Sequence, residues 1–557
     1  MNYLNDFKPF GAVPNDRQMQ WYKRGKTAFI HYGMNTFTNR EWGDGTEREE
    51  TFCPTNVDCK QWVSELYKNG FTVAILTAKH HGGFCLWPSK YTEHSIKNSP
   101  YKNGKGDIVR EFVDACKEVG MKPGIYLSPW DRNFAEWGTE AYNDYYVNQL
   151  TELMTEYGDI YECWWDGAGS TEANYDWARW ANTVRKYQKN CVIFGSLGAA
   201  PYVDVHWVGN ELGRAGDPCW GTIDEDSVFR EDAREMNKGK FGGDRFIPAE
   251  ADMSIRPGWF YHEEQNEVVK TPVKLVDYWF TSVGKNTGIL LNLPPTKDGV
   301  LHEIDCKNIA KWNEYLDEIF ETNLLCGATV NASDCIKDYK IENLLDEDYD
   351  KIYATNDKNA IITYEFPEEK AFNCFKLQEV IELGHRIKSF RLEAKIDGEW
   401  KEILNKECIG FCRADKFERI TASAVRLTLD AVAEPLLRFF GVYNAPDHTI
   451  REEFETSGKA IDLTTLPTLR FIKIKDGYEV ELGGIYEFNT IICDATDCFA
   501  IEIFAFDGSQ YKSIFYNQNG SEHELCTFKT VEGSYKFKIL FYEATCDKDR
   551  KIQILKV

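Results

Sequence analysis

Residues 107–128 read DIVREFVDACKEVGMKPGIYLS. The first fourteen space their apolar side chains as one stripe of a helix and stop on the glycine favoured just past a helix end. The last seven, KPGIYLS (122–128), are short and apolar on both faces, as in a parallel strand covered on both sides. A helix that delivers the chain into such a strand is one unit of a βα repeat. The same alternation runs outward in both directions.

Seven more segments read as strands of this kind: AFIHYG (28–33), TVAILTA (72–78), DIYECWW (159–165), CVIFGS (191–196), VDVHWV (203–208), RFIPAE (245–250) and GILLNL (288–293). Amphipathic helices such as DCKQWVSELYKNG and TEAYNDYYVNQLTELMTEYG lie between most of them, each closed by glycine. Eight strands in βα alternation over residues 1–325 predict an α/β fold, a (β/α)8 barrel, with a doubly wound open sheet as the alternative. Too few residues separate the fifth and sixth strands for a helix. After EIDCKNIAKWNEYLDEIFETNLL the periodicity drops to two, which predicts a β-sandwich over 326–445. A polar connector, PDHTIREEFETSGK, leads to a second β-rich stretch over 450–557.

The chain has 557 residues, enough for two to four domains, and 43% are hydrophobic. Its 65 basic and 89 acidic side chains give a net charge of −24. Such a surface repels phosphate backbones and anionic lipid, so neither nucleic acid nor a membrane is an expected partner. A neutral substrate meets no such penalty. No basic, apolar leader opens the sequence and no apolar run would span a bilayer. The 17 cysteines are odd in number and include no CxxC, a pattern of buried reduced thiols that fits the cytoplasm.

In a barrel the functional groups sit where strands end. Those positions hold His31, His80 and His81, Tyr126 and Trp130, and Trp164, Trp165 and Asp166, then Trp207 and Glu211, Glu250, Arg256 and Trp259, and Asn292. Indole faces stack on sugar C–H surfaces, while imidazoles and acids bind hydroxyls directionally, so the set suits a carbohydrate. A metal site is not expected, because KHH with His31 matches neither HExxH nor a CxxC pattern. Neither GxGxxG nor a P-loop occurs. Cys163 lacks an obvious base. Hydrolysis of a glycoside needs two carboxyl groups, about 5–5.5 Å apart when configuration is retained. Asp166 suits the nucleophile; Glu211 suits the acid/base, with Glu250 as its competitor.

FIHYGMNTF, TAKHHGGFCLWPS, YLSPWD, WWDGAG, SIRPGWFYH and GILLNLPPTKDG together resemble glycoside hydrolase family 29, the α-L-fucosidases, over residues 5–325. The resemblance implies a retaining double displacement without metal or organic cofactor, in which Asp166 forms the fucosyl ester and both indoles wall its pocket. It further implies that His31, Glu41, Trp42, His80 and His81 bind the fucose hydroxyls. Tyr126, Trp164, Arg256 and Trp259 would be further wall or contact residues. VGNELGRAG, carrying Glu211, looks like the branch that cleaves α-1,3 and α-1,4 linkages, which implies Lewis-type fucosylated oligosaccharides as substrate. A broad-specificity fucosidase and a silent fucose-binding protein stand as alternatives. Residues 326–445 also resemble a discoidin-like sandwich, a fold used for carbohydrate binding or for packing. Oligomeric state is not read from the sequence.

Overall fold

The computed structural model describes the chain apart from residues 1–2, 170–171, 197, 229–236, 347, 452–460, 494–499, 507–510, 519–523, 543–549, 551 and 557. Eight parallel strands close on themselves: β1 (Lys26–Ile30), β2 (Phe71–Lys79), β3 (Lys122–Leu127), β4 (Glu162–Trp165), β5 (Val192–Gly195), β6 (Val205–Trp207), β7 (Ala249–Ser254) and β8 (Gly288–Asn292). The closing seam pairs Thr27 with Leu290 and Phe29 with Asn292. Closure excludes the open sheet.

Around the barrel lie α1 (Asp16–Tyr22), α2 (Cys59–Lys68), α3 (Ile108–Val119), α4 (Glu140–Glu156), α5 (Trp177–Tyr187), α6 (Pro272–Thr281) and α7 (Glu303–Phe320). In α3 the Asp107 carboxylate caps the Arg110 N–H, and Gly120, at φ 88°, donates back to Cys116. Its buried stripe is Ile108, Val109, Phe112, Val113, Ala115 and Cys116. Only a short 3-10 turn, Ala200–Tyr202, stands between β5 and β6, as the spacing required.

The seventh strand differs from its expected position. Arg245–Phe246 pairs instead with Thr222–Ile223 in a separate two-stranded ribbon, and the barrel strand begins at Ala249. Pro248 explains the shift, since it has no N–H to give a central strand. Glu250 therefore stands at the entrance of its strand, not at its exit.

At that end of the barrel, the floor, Arg24 pairs with both Glu162 and Glu250. Glu250 also accepts from the Trp21 indole (2.9 Å) and the Trp164 indole (3.1 Å). Gly288 opposite Glu250 leaves room for Trp21, whose ring a Cβ would meet at 2.5 Å.

Antiparallel sheets follow the barrel. The first joins Thr329–Ala332, Ile361–Glu379, Ile387–Ile396, Glu399–Glu407, Arg413–Ala431 and Leu436–Tyr443 over a core that includes Phe372, Phe375, Phe390, Leu427 and Phe440. It forms one compact unit with the barrel, over Met1–Glu263 and Lys270–Ile450. Arg413 and Lys406 of this sheet grip Asp217 of the loop after β6, at 2.7 and 3.0 Å. A second unit comprises Glu264–Val269 and Arg451–Val557, a seven-stranded sheet packed on Val480, Phe488, Ile501, Phe537 and Ile554. Of the connector 446–459, residues 452–459 lie outside the described residues. No helix among the described residues is long and apolar enough to cross a membrane. The described cysteines are free and mostly buried.

The floor predicts a pH signature. Burial is the main influence pushing Glu162 from 4.5 up to about 8, opposed by Arg24 and aided by the Glu250 charge. Between those pH values the folded chain holds a proton that the unfolded chain has released, so this group's contribution to stability falls as pH rises. The Tm difference between wild type and Glu162→Gln should therefore decline from pH 4.5 to 8. A constant difference would show that Glu162 is ionised in the fold.

Candidate active site

Strand alternation sorts the residues of CWWDGAG. Trp164 points into the barrel, stacked on Phe194 at 4.1 Å and on Tyr126 at 5.4 Å. Trp165 points outward, fully buried against Trp177 and Trp180 of α5. One indole walls the pocket, not two. Cys163 shares the outward register, and burial pushes its thiol up to about 12, which removes it as a nucleophile. Asp166 follows β4 directly at the barrel mouth. Its Oδ2 accepts from the Tyr126 hydroxyl at 3.2 Å and its Oδ1 from the Ala168 N–H at 2.7 Å.

Three histidines cluster beside it. His31 lies against His80 (5.7 Å between ring centres), and His80 against His81 (4.0 Å) and parallel to Tyr126 (5.9 Å). Burial pushes His31 down to about 3 and His80 well below the usual range; it also lowers His81, although the Asp166 charge works the other way. All three rings are neutral near pH 7, and two have a readable tautomer. The Asn292 amide donates to Ser254 Oγ (2.9 Å) and to the Trp259 carbonyl (2.8 Å), so its oxygen accepts from His31 Nδ1 (2.8 Å). Ser128 donates its one proton to the Trp130 carbonyl (2.7 Å), so it accepts from His81 Nδ1 (2.8 Å). Each Nε2 is left as an acceptor for a hydroxyl. His31, His80 and His81 lie together, but no group of three His, Cys, Asp or Glu donors among the described residues is arranged to hold a metal ion.

Glu211 sits in the loop after β6 and receives the Trp259 indole N–H at 3.2 Å. The residue as a whole is exposed, with its carboxyl against the Trp259 indole. Loss of solvent there raises its pKa, the Trp259 bond lowers it, and the Asp166 and Glu41 charges raise it further. Asp166 and Glu211 are thus electrostatic neighbours, and the Asp166 charge helps to hold Glu211 toward its protonated form.

Trp259 leans over His31 at 5.0 Å between rings. Glu41 holds it there, accepting from the backbone N–H groups of Trp259 (2.8 Å) and Phe260 (3.3 Å) and pairing with His262 (2.6 Å). Glu41 thus supports the wall. Trp42 stands at the rim, 57% exposed. Arg256 is not an open wall residue: it is fully buried, with Nε and Nη2 each 2.9 Å from the Asp305 carboxylate on α7. Glu250 is ruled out as the acid by its place on the floor, where Arg24, Trp21 and Trp164 use its oxygens.

Ser128 and Asp252 escaped the sequence reading. Asp252, buried on β7, accepts from the Trp207 indole at 2.9 Å, and burial with the Glu211 charge pushes its carboxyl well up. Period two along AEADMS was the available signal, since it turns Glu250, Asp252 and Ser254 to one side. Ser128 carried none beyond its position at a strand end.

A closed parallel barrel whose mouth joins two carboxyl groups, neutral imidazoles and indoles defines a barrel glycoside hydrolase. Residues 10–319 match the family profile described as Alpha-L-fucosidase. Alpha-L-fucosidase 1 of Arabidopsis thaliana is 38% identical over 451 residues, covering 78% of this chain and 88% of its own. A glycoside hydrolase 29 family member from an unknown rumen bacterium has 31% identity and a TM-score of 0.72, covering 98% of this chain and all of that one. A Ruminococcus gnavus GH29 fucosidase solved with fucose has 31% identity and a TM-score of 0.74, covering 80% and 98%. The chain belongs to glycoside hydrolase family 29, the α-L-fucosidases.

Replacing Asn292 by Ala leaves the His31 Nδ1–H without its buried acceptor, a loss of ~1–3 kcal/mol. Fucose affinity measured by calorimetry should fall about tenfold with the fold intact. Unchanged affinity would detach His31 from sugar binding.

Proposed function

We propose that this hydrolase is a retaining exo-α-L-fucosidase that removes α-1,3- and α-1,4-linked L-fucose from Lewis-type oligosaccharides. The observation carrying the reading is the Asp166–Glu211 pair at the mouth, one carboxyl oriented by Tyr126 and Ala168, the other pushed toward its acid form. A fucoside seated among His31, His80 and His81 gives hydroxyl protons to the neutral Nε2 acceptors of His31 and His81. Asp166 then attacks the anomeric carbon and a fucosyl ester forms as the glycosidic bond breaks. Glu211 delivers its proton to the leaving oxygen, which departs as a hydroxyl. In the second half Glu211 takes a proton from water, whose oxygen attacks the anomeric carbon and frees Asp166. The fucose complex of the Ruminococcus gnavus relative supports fucose as the sugar held, and the VGNELG setting of Glu211 supports the linkage.

Asp166→Asn should abolish turnover while fucose still binds; persisting turnover would remove Asp166 from the attack. Glu211 must be protonated to assist departure, so kcat/KM should decline as pH rises through its elevated pKa. Glu211→Gln should lose that decline and slow poor leaving groups most, with azide restoring activity as α-fucosyl azide, the retained anomer. Azide without effect would place the acid on another residue. Release of fucose from Lewis a and Lewis x but little from 2′-fucosyllactose supports the linkage; the reverse order favours the broad-specificity reading.

A further inference from the structure

Glu211 stands on a short turn after β6, residues 209–215, whose backbone is tied far more closely than its exposure requires. Asn210 closes the turn from within: its amide donates to the Arg214 carbonyl at 2.8 Å, and its oxygen accepts the Leu212 N–H at 3.2 Å. Glu211 is the residue that this side chain spans. Just beyond it the chain is pinned to the barrel. The Gly213 N–H donates to the Asp252 carbonyl of β7 at 3.0 Å, and the Ala215 N–H donates to the Thr281 carbonyl at the end of α6 at 2.9 Å. Gly213, at φ +65°, lies so close to β7 that Met253 leaves no room for a Cβ.

Thr281 reaches the turn with its side chain as well. Its hydroxyl lies 3.0 Å from the Gly213 carbonyl and 3.2 Å from the Tyr278 carbonyl, with one proton to give. The Ser282 N–H and hydroxyl already use the two lone pairs of the Tyr278 carbonyl, so the Thr281 proton goes to Gly213. Gly213 is therefore held by its N–H from β7 and by its carbonyl from α6. Every peptide unit from Glu211 to Ala215 carries one of these bonds. A surface turn ordinarily leaves such groups to water. A general acid, by contrast, must sit within hydrogen-bond reach of the oxygen it protonates, and a displacement of ~1 Å costs on the order of a hundredfold in rate.

We propose that Thr281 and Asn210 are positioning residues for the acid/base: by fixing the turn on either side of Glu211 they hold its carboxyl at the oxygen that leaves. The proposal rests on the reading above, in which Glu211 protonates that oxygen. Its test compares α-L-fucosyl fluoride, whose fluoride departs with little help from an acid, with the fucosylated trisaccharide that the wild type cleaves best, whose sugar oxygen needs a proton. Thr281→Val keeps the side-chain shape and removes the hydroxyl. Its kcat/KM on the trisaccharide should fall about tenfold, the loss lying in kcat, while kcat/KM on the fluoride stays within about twofold. Thr281→Ser, which keeps the hydroxyl, should retain most of the wild-type rate, and Asn210→Ala should repeat the selective loss from inside the turn. Equal losses on both substrates, no loss on either, or a loss confined to KM would overturn the proposal. Glu211→Gln is the reference. A selective loss there with none in Thr281→Val and Asn210→Ala would strike the positioning alone; no selective loss in Glu211→Gln itself would strike the acid/base reading on which it rests.

Discussion

A guanidinium buried between two carboxyl groups at the barrel floor is the constraint on which the mouth depends. Arg24, Glu162 and Glu250 have almost no access to water, so removing either carboxyl leaves the buried Arg24 guanidinium short of a partner that water cannot replace. The cluster also aims the layer above it. Glu250 holds the Trp164 indole by its N–H, Trp164 lies along Tyr126, and the Tyr126 hydroxyl reaches Asp166. Acidic residues at the entrance of β4 and β7 thus fix the geometry of the acid at the exit of β4.

A second constraint is the strap after β7. It runs from Ser254 to His262 and is tied at five points: Asn292 holds Ser254 and the Trp259 carbonyl, Asp305 holds Arg256, and Glu41 holds the Trp259 and Phe260 N–H groups. Asn292 uses its remaining oxygen on His31. One side chain therefore couples the tautomer of His31 to the position of Trp259, and Trp259 in turn donates to Glu211. The sugar pocket and the outer carboxyl are set by the same strap. Neutral imidazoles suit this arrangement, because three touching cationic rings would repel one another.

Periodicity made the barrel legible, since the same short, doubly apolar strand recurred eight times. It misplaced one strand, because RFIPAE is as apolar as its neighbours and only Pro248 breaks it. That slip moved Glu250 from exit to entrance and made a floor residue look like an acid/base. Asp166, Glu211 and the histidines were legible because strand ends face the mouth whatever their exact register. Arg256 and Glu41 were not readable in their supporting roles: their partners Asp305 and His262 are fixed by tertiary contact, and no spacing along the chain announces it. Asp252 was hidden by the same misplaced strand.

The electrostatics of the two mouth carboxyls bear on how one residue serves as acid and then base. Glu211 is raised partly by the negative charge of Asp166. In the double displacement proposed above, formation of the ester removes that charge while Glu211 gives up its proton. Burial, the main cause of the raised pKa, persists in the ester, but loss of the Asp166 charge lowers the pKa of Glu211 at the stage when it must stay ionised and accept a proton from water. Once water has displaced the ester, Asp166 regains its charge and the influence that favours the acid form returns. The Trp259 indole, a neutral donor that stabilises the carboxylate in both stages, lowers the pKa throughout and leaves the swing to the Asp166 charge. A pair of acids coupled in this way resets itself within each turnover, with no group beyond those at the barrel mouth.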